Sequence, residues 1–195
     1  MSNVSGVKSK QIVFGTDTDA ISAAGTATTL VLLNSGPWVN AQTVTLTSSA
    51  DNSGITFVVV GKDANGAAAT SAATTGPDST TLSVAGTWTE VTSITASGSI
   101  TTDISAGITS GATTGIIFAG RTRVRSMTGV AGGGAGFIVI KNGSATSGQS
   151  RLVVNVDSGE TIDPYISDDG ILCEDGAYFA YGGTAVVGLA IQFDG

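Results

Sequence analysis

The feature that most narrows the fold is the punctuation of the chain. Short runs rich in Thr, Val and Ile are each closed within about ten residues by Gly, Asn or Asp. Nowhere do apolar residues recur at i, i+3, i+4 and i+7 among good helix formers. This pattern predicts an all-β protein. Gln42–Ser48 sets Val44 and Leu46 against Thr43, Thr45 and Thr47, the period-2 alternation of a strand with one face in a core.

Further strands are predicted along the same lines. Ala50-Asp51-Asn52-Ser53-Gly54 turns the chain into Ile55–Gly61, whose outer face is also partly apolar. Asp63-Ala64-Asn65-Gly66 predicts a hairpin with a type I′ turn, because Asn-Gly tolerates positive φ. Ala69–Thr75, Thr81–Ala85, Trp88–Ala96 and Ile100–Ile108 complete a β-sandwich of about a hundred residues. The Gly/Ala/Thr stretch Gly107–Gly115 marks a boundary. Beyond it, Ile116–Ala119, Arg121–Met127, Phe137–Lys141, Arg151–Val156, Gly170–Cys173, Tyr178–Tyr181 and Ala185–Phe193 predict a small antiparallel β-barrel or jelly-roll-like sandwich. The expected organisation is an N-terminal arm over residues 1–11, which carries Lys8 and Lys10, a β-sandwich over 12–112 and a second β module over 116–195.

Composition removes much chemistry. The 195 residues include no histidine, so Ser-His-Asp, Cys-His and HExxH arrangements are excluded. One cysteine, Cys173, can form neither an internal disulfide nor a CxxC knuckle; it reads as a small buried hydrophobe. A formal charge of −7 disfavours binding to nucleic acid or an anionic membrane. The opening residues lack an apolar signal region and the apolar runs are too short to cross a bilayer, so the expectation is a chain made in the cytoplasm. No cofactor and no enzymatic activity are expected.

Several motifs invite a sharper reading. Gly129–Gly136 holds three consecutive glycines but leads into a strand rather than a helix, so it reads as a hairpin loop and not a phosphate cradle. Asp157, Asp163, Asp168, Asp169, Glu174 and Asp175 crowd around Pro164-Tyr165. Paired carboxylates or an oxygen-ligand cation site are conceivable there, against the plainer role of solvated turn residues. Asp17-Thr18-Asp19 is a lone DxD, and Asp63–Gly66 lacks the later Glu of a Ca²⁺ loop. Arg121, Arg123 and Arg125 project from one face of a predicted strand. The stripe is either a charged edge that blocks aggregation or a surface for the acids of a neighbouring subunit. Trp38 and Trp88 are core anchors unless exposed, when they would be interface hot spots. The candidate interface residues are thus Lys8, Lys10, Trp38, Trp88, Arg121, Arg123 and Arg125.

The run TVTLTSSADNSGITFVVVGKDANGAAAT, followed by TTGPDSTTLSV and TWTEVTSITASGSITTDISAG, resembles an immunoglobulin-like module of tailed-bacteriophage virion proteins. The segments VRSMTGVAGGGAGFIVIKNGS, RLVVNV, DPYISDDGILCEDGAYFAY and TAVVGLAIQF are similar to small β-sandwich modules of phage capsid decoration, adaptor and tail proteins. The resemblance implies a structural virion component that assembles as a symmetric oligomer, a homotrimer by preference. Its partners would be copies of itself and the major capsid protein or head-tail proteins. The leading expectation is a capsid decoration (cement) protein located in the virion. The alternatives are a head-tail adaptor, collar or tail protein, and a carbohydrate-binding adhesin module for a host-surface glycan.

Overall fold

The computed structural model describes residues 6–13, 16–100, 102–110, 113–183 and 186–195. The described residues contain strands and turns and no helix. In chain order the strands are β1 (Val7–Val13), β2 (Thr16–Gly25), β3 (Gln42–Ser48), β4 (Thr56–Asp63), β5 (Ala68–Thr70) and β6 (Thr74–Thr75). Next come β7 (Thr81–Ser83), β8 (Trp88–Ala96), β9 (Ile104–Ser110), β10 (Thr114–Phe118), β11 (Thr122–Ala131) and β12 (Gly136–Asn142). The last are β13 (Gln149–Val156), β14 (Thr161–Ile162), β15 (Ile171–Cys173), β16 (Ala177–Gly183) and β17 (Val186–Asp194). The chain is all-β, with β3 and β8 starting and ending where alternation and turn residues place them.

The strands form two compact units. The terminal unit comprises Met1–Phe14, Trp38–Asn40 and Ala112–Gly195, and the inserted unit comprises Gly15–Pro37 and Ala41–Gly111. The terminal unit packs a five-stranded sheet, β1-β17-β11-β14 with β15 also on β11, against a four-stranded sheet, β10-β16-β12-β13. Ile12, Val124, Met127, Leu189, Ile191 and Phe193 of the first sheet share one core with Ile117, Ile138, Ile140, Val156, Phe179 and Tyr181 of the second. Two sheets burying their facing side chains make this a β-sandwich, and each large apolar side chain so buried contributes about 1.5–3 kcal/mol.

In the inserted unit one sheet runs β2-β9-β3-β8-β4-β5, with β6 on β4 and β7 on β3. β3 and β8 meet only at Gln42 and Trp88, so the sheet curls there. Val44, Leu46, Ile104 and Ile108 on one side of that junction, and Phe57, Val59, Val91 and Ile94 on the other, are all fully buried.

Several local expectations change; Ala69–Thr75, expected as one strand, divides into β5 and β6, and β2 was not expected. Residues 7–11, expected in an arm, lie in β1, which pairs with β17 from Val7↔Asp194 to Val13↔Gly188. The pairing satisfies backbone groups that local sequence cannot, because the partner strand is at the other end of the chain. The Gly129–Gly136 loop is shorter than expected, since Gly129, Val130 and Ala131 continue β11 against β17. The Asp63–Gly66 hairpin forms, but of its residues only Gly66 takes a left-handed φ, +78°. A type I′ turn needs two such residues. Here the Asp63 carboxylate instead accepts the Asn65 and Ala67 N–H groups at 2.8 and 3.0 Å, which fixes the turn from its first residue.

Candidate functional site

The arginine stripe divides once the strand is drawn. β11 begins at Thr122, so Arg121 stands in the preceding bend, exposed. Arg123 donates from Nη1 to the Asp169 carbonyl at 2.7 Å, and Arg125 donates from Nη1 to the Asp168 carbonyl at 2.7 Å. Arg125 also holds the Asp194 carboxylate from two nitrogens, Nε at 2.9 Å and Nη2 at 2.5 Å. Arg125 therefore clamps the 168–169 loop and the end of β17 within its own unit. A guanidinium already matched by a carboxylate and a carbonyl has few donors left for a neighbour's acids.

That pairing makes one contribution to the acid response of the unit. The Arg125 hydrogen bonds hold the Asp194 carboxyl below the usual carboxylate range. A depressed folded-state value stabilises the fold above the ordinary carboxylate pKa of about 4, and the contribution is lost as pH falls through the lowered value. Arg125→Gln is expected to melt below the wild type at pH 7, with the gap narrowing in acid as the Asp194 part of the loss titrates away while the Asp168 carbonyl bond does not. Thermal melts across pH 2–7 followed by circular dichroism check this, and a gap of constant size would contradict it.

Beside this clamp lies an open groove of about 310 Å³ lined by Arg125, Ser126, Asp163, Pro164, Tyr165 and Ile166. Tyr165 is 90% exposed at its rim. The acids around it do not converge. Asp175 is taken up by Asn142, whose amide donates to the carboxylate at 2.9 Å and whose carbonyl oxygen accepts the Asp175 N–H. Glu160 accepts the Asp157 N–H at 3.0 Å in a turn. Among the described residues no three His, Cys, Asp or Glu side chains are grouped to hold a metal ion. Asp17 and Asp19 sit side by side, and the hydrogen bond and charge of Asp17 raise the Asp19 pKa. Cys173 is buried in the terminal core, and burial pushes its thiol pKa up, away from the reactive thiolate.

The tryptophans and lysines also have structural positions. Trp38 and Trp88 are 1% and 2% exposed, so neither ring is available to a partner or a sugar. Their indole N–H groups have no hydrogen-bond partner among the described residues. Lys8 reaches over the Phe118 ring, 5.8 Å from its centre, and Lys10 donates to the Ile116 carbonyl at 3.3 Å. Both lysines thus lean from β1 toward β10 of the same unit.

Three exposed apolar side chains lie on the outer face of the four-stranded sheet, which contains none of the seven candidate residues. β12, β13 and β16 point Ile138, Ile140, Leu152, Val154, Phe179 and Tyr181 inward. The alternate residues therefore face out, and the register pairs Ile116 with Tyr178, Phe137 with Gly182, and Val139 with both Ala180 and Val153. Ile116, Phe137 and Val153 are 41%, 46% and 56% exposed, whereas Val139 and Tyr178 in the same rows are buried at 8% and 9%. The Phe137 ring lies against Gly182, where an added Cβ would come within 2.4 Å of it. Lys141 carries a charge on this face, its ammonium taken by the Thr146 carbonyl, and exposed Arg151 brings a second at the start of β13. The signal for this face is the unbroken run Phe137-Ile138-Val139-Ile140, because a strand apolar at every position has two faces to bury.

No helix among the described residues is long and apolar enough to cross a membrane. No protein-family model matches the chain, nor does any curated protein or solved structure.

Proposed function

We propose that the chain is a non-enzymatic structural component of a tailed-bacteriophage particle, a capsid decoration protein that stabilises the shell through contacts between subunits. The observation that carries this reading is the apolar outer face of the four-stranded sheet, with Ile116, Phe137 and Val153 open to solvent. An isolated soluble domain keeps such faces polar, so an apolar sheet exterior is expected to be covered in the working assembly. The immunoglobulin-like and phage-module sequence resemblance supplies the type of assembly. A head-tail adaptor or tail protein would use the same face, and abundance separates them. Quantitative mass spectrometry of purified particles is expected to find the chain at a copy number on the scale of the major capsid protein. A single ring's worth would move it to the connector, and its absence from particles would overturn the reading.

One observation keeps a glycan-binding role in view. With both tryptophans buried, the exposed Tyr165 beside the 163–166 groove is the aromatic placed to stack on a sugar. Saturable binding on a glycan array that is lost in Tyr165→Ala would favour the adhesin. No binding above background would leave the decoration reading alone.

A further inference from the structure

The sheet edges of this protein are not equivalent. In β1, residues 11–13 are covered by 38–40: the Val39 N–H donates to the Gln11 carbonyl at 2.7 Å and the Asn40 amide donates to the Val13 carbonyl at 2.8 Å. The rest of β1 carries Lys8 and Lys10, charges that deter a second strand. β10 gives its Ile116 carbonyl to Lys10, and Gly115 lies so close to the Val39 carbonyl that a Cβ would stand 2.2 Å from it. β2 is broken by register shifts, bears Asp17 and Asp19, and receives the Leu33 N–H at the Ile21 carbonyl. β5, β6, β7, β14 and β15 have two or three residues each.

β13 differs from all of these. It pairs with β12 alone, and no hydrogen bond reaches its other edge among the described residues. A register shift, Ile140 opposite Leu152 and Lys141 opposite Ser150, leaves Arg151 as a bulge at the start of the strand. Beyond it Leu152-Val153-Val154-Asn155-Val156 carries no charge, proline or bulge.

We propose that this edge pairs with the same strand of a second copy of the chain, antiparallel about a twofold axis through Val153. The proposal rests on the subunit reading above and names its partner. Antiparallel pairing about Val153 joins residues of equal parity, so inward side chains stay inward. Leu152 meets Val154 in the core layer, Val153 meets its own copy on the outer face, and Arg151 lies opposite the neutral Asn155. Self-pairing of β1 or β2 would oppose like charges, whereas β13 from Leu152 onward has none. Val153 is also the register neighbour of Val139, so the pairing makes one apolar outer face continuous across two copies. The expected symmetry is twofold, in contrast to the trimer implied by the resemblance.

Sedimentation velocity on the full chain over a concentration series tests this. The wild type is expected at twice the chain mass. Val153→Lys places like charges across the axis and is expected to weaken association at least about tenfold. Its circular dichroism should be unchanged, because Val153 is exposed. An equimolar mixture of Val153→Lys and Val153→Asp is expected to restore the dimer. If Val153→Lys does not fold, Asn155→Lys makes the same test from the same face. A wild type that stays monomeric at high concentration, a species of three chain masses, or a lysine variant that associates as the wild type does would each overturn the pairing. The particle measurement decides the subunit reading separately: a monomeric chain found abundantly in particles defeats the β13 pairing alone.

Discussion

Phe179→Ala is expected to destabilise the terminal unit by about 3–5 kcal/mol, at the upper end of what a single core truncation costs. The ring is fully buried on β16, the central strand that pairs with both β10 and β12. Its register neighbours are Gly115 and Ile140, and it packs in the core shared with Ile191 and Phe193 of the opposite sheet. Glycine on one side offers no side chain to move into the void, so the cavity stays open and its cost adds to the lost transfer energy. Urea titration should show a lower midpoint with an unchanged slope. A stability within about 1 kcal/mol of the wild type would mean that the two sheets do not share a close-packed core.

Gly107→Ala is the second large effect. Gly107 sits in mid-strand on β9, opposite Thr45 of β3, and a Cβ there would lie 2.0 Å from the Asp17 carbonyl oxygen and 2.6 Å from the Thr18 Cα. Both obstacles are backbone of β2, so relief requires β2 to move away from β9. The expected cost is about 1–3 kcal/mol or more, with faster amide exchange along β2. Gly133 is the control. A Cβ at that position meets nothing within 4 Å, so Gly133→Ala should leave the fold unchanged.

These two glycines show where the sequence could be read and where it could not. The Gly132-Gly133-Gly134 run attracts attention because it is a run, yet Gly133 is tolerant. Gly107 looks like part of a linker and is pinned between strands. Only the approach of β2, more than eighty residues earlier in the chain, makes it indispensable. The same distance explains the other differences. β3 and β8 were legible because alternation and flanking turns are local signals. β1, with its Lys, Ser and Gln, has no such signal and exists through β17. The arginine spacing on β11 was legible too, but the partner Asp194 comes from the far end of the chain. The stripe, open between a charged edge and a surface for a neighbour, thus includes an internal clamp at Arg125, and Arg121 is exposed. Trp38 and Trp88 read as core anchors unless exposed, and their burial places them in the interior. The apolar outer face is written in β12, in a run that is apolar at consecutive positions instead of alternate ones.

The central claim is that this outer face is covered in the particle proposed above. Amide hydrogen exchange with mass spectrometry, on the chain within purified particles and on the isolated chain at low concentration, tests it most directly. Exchange is expected to slow in the particle for peptides covering 114–118, 136–142 and 149–156, while peptides from β2 and β5 of the inserted unit change little. Equal exchange of the 136–142 and 149–156 peptides in both samples would contradict it.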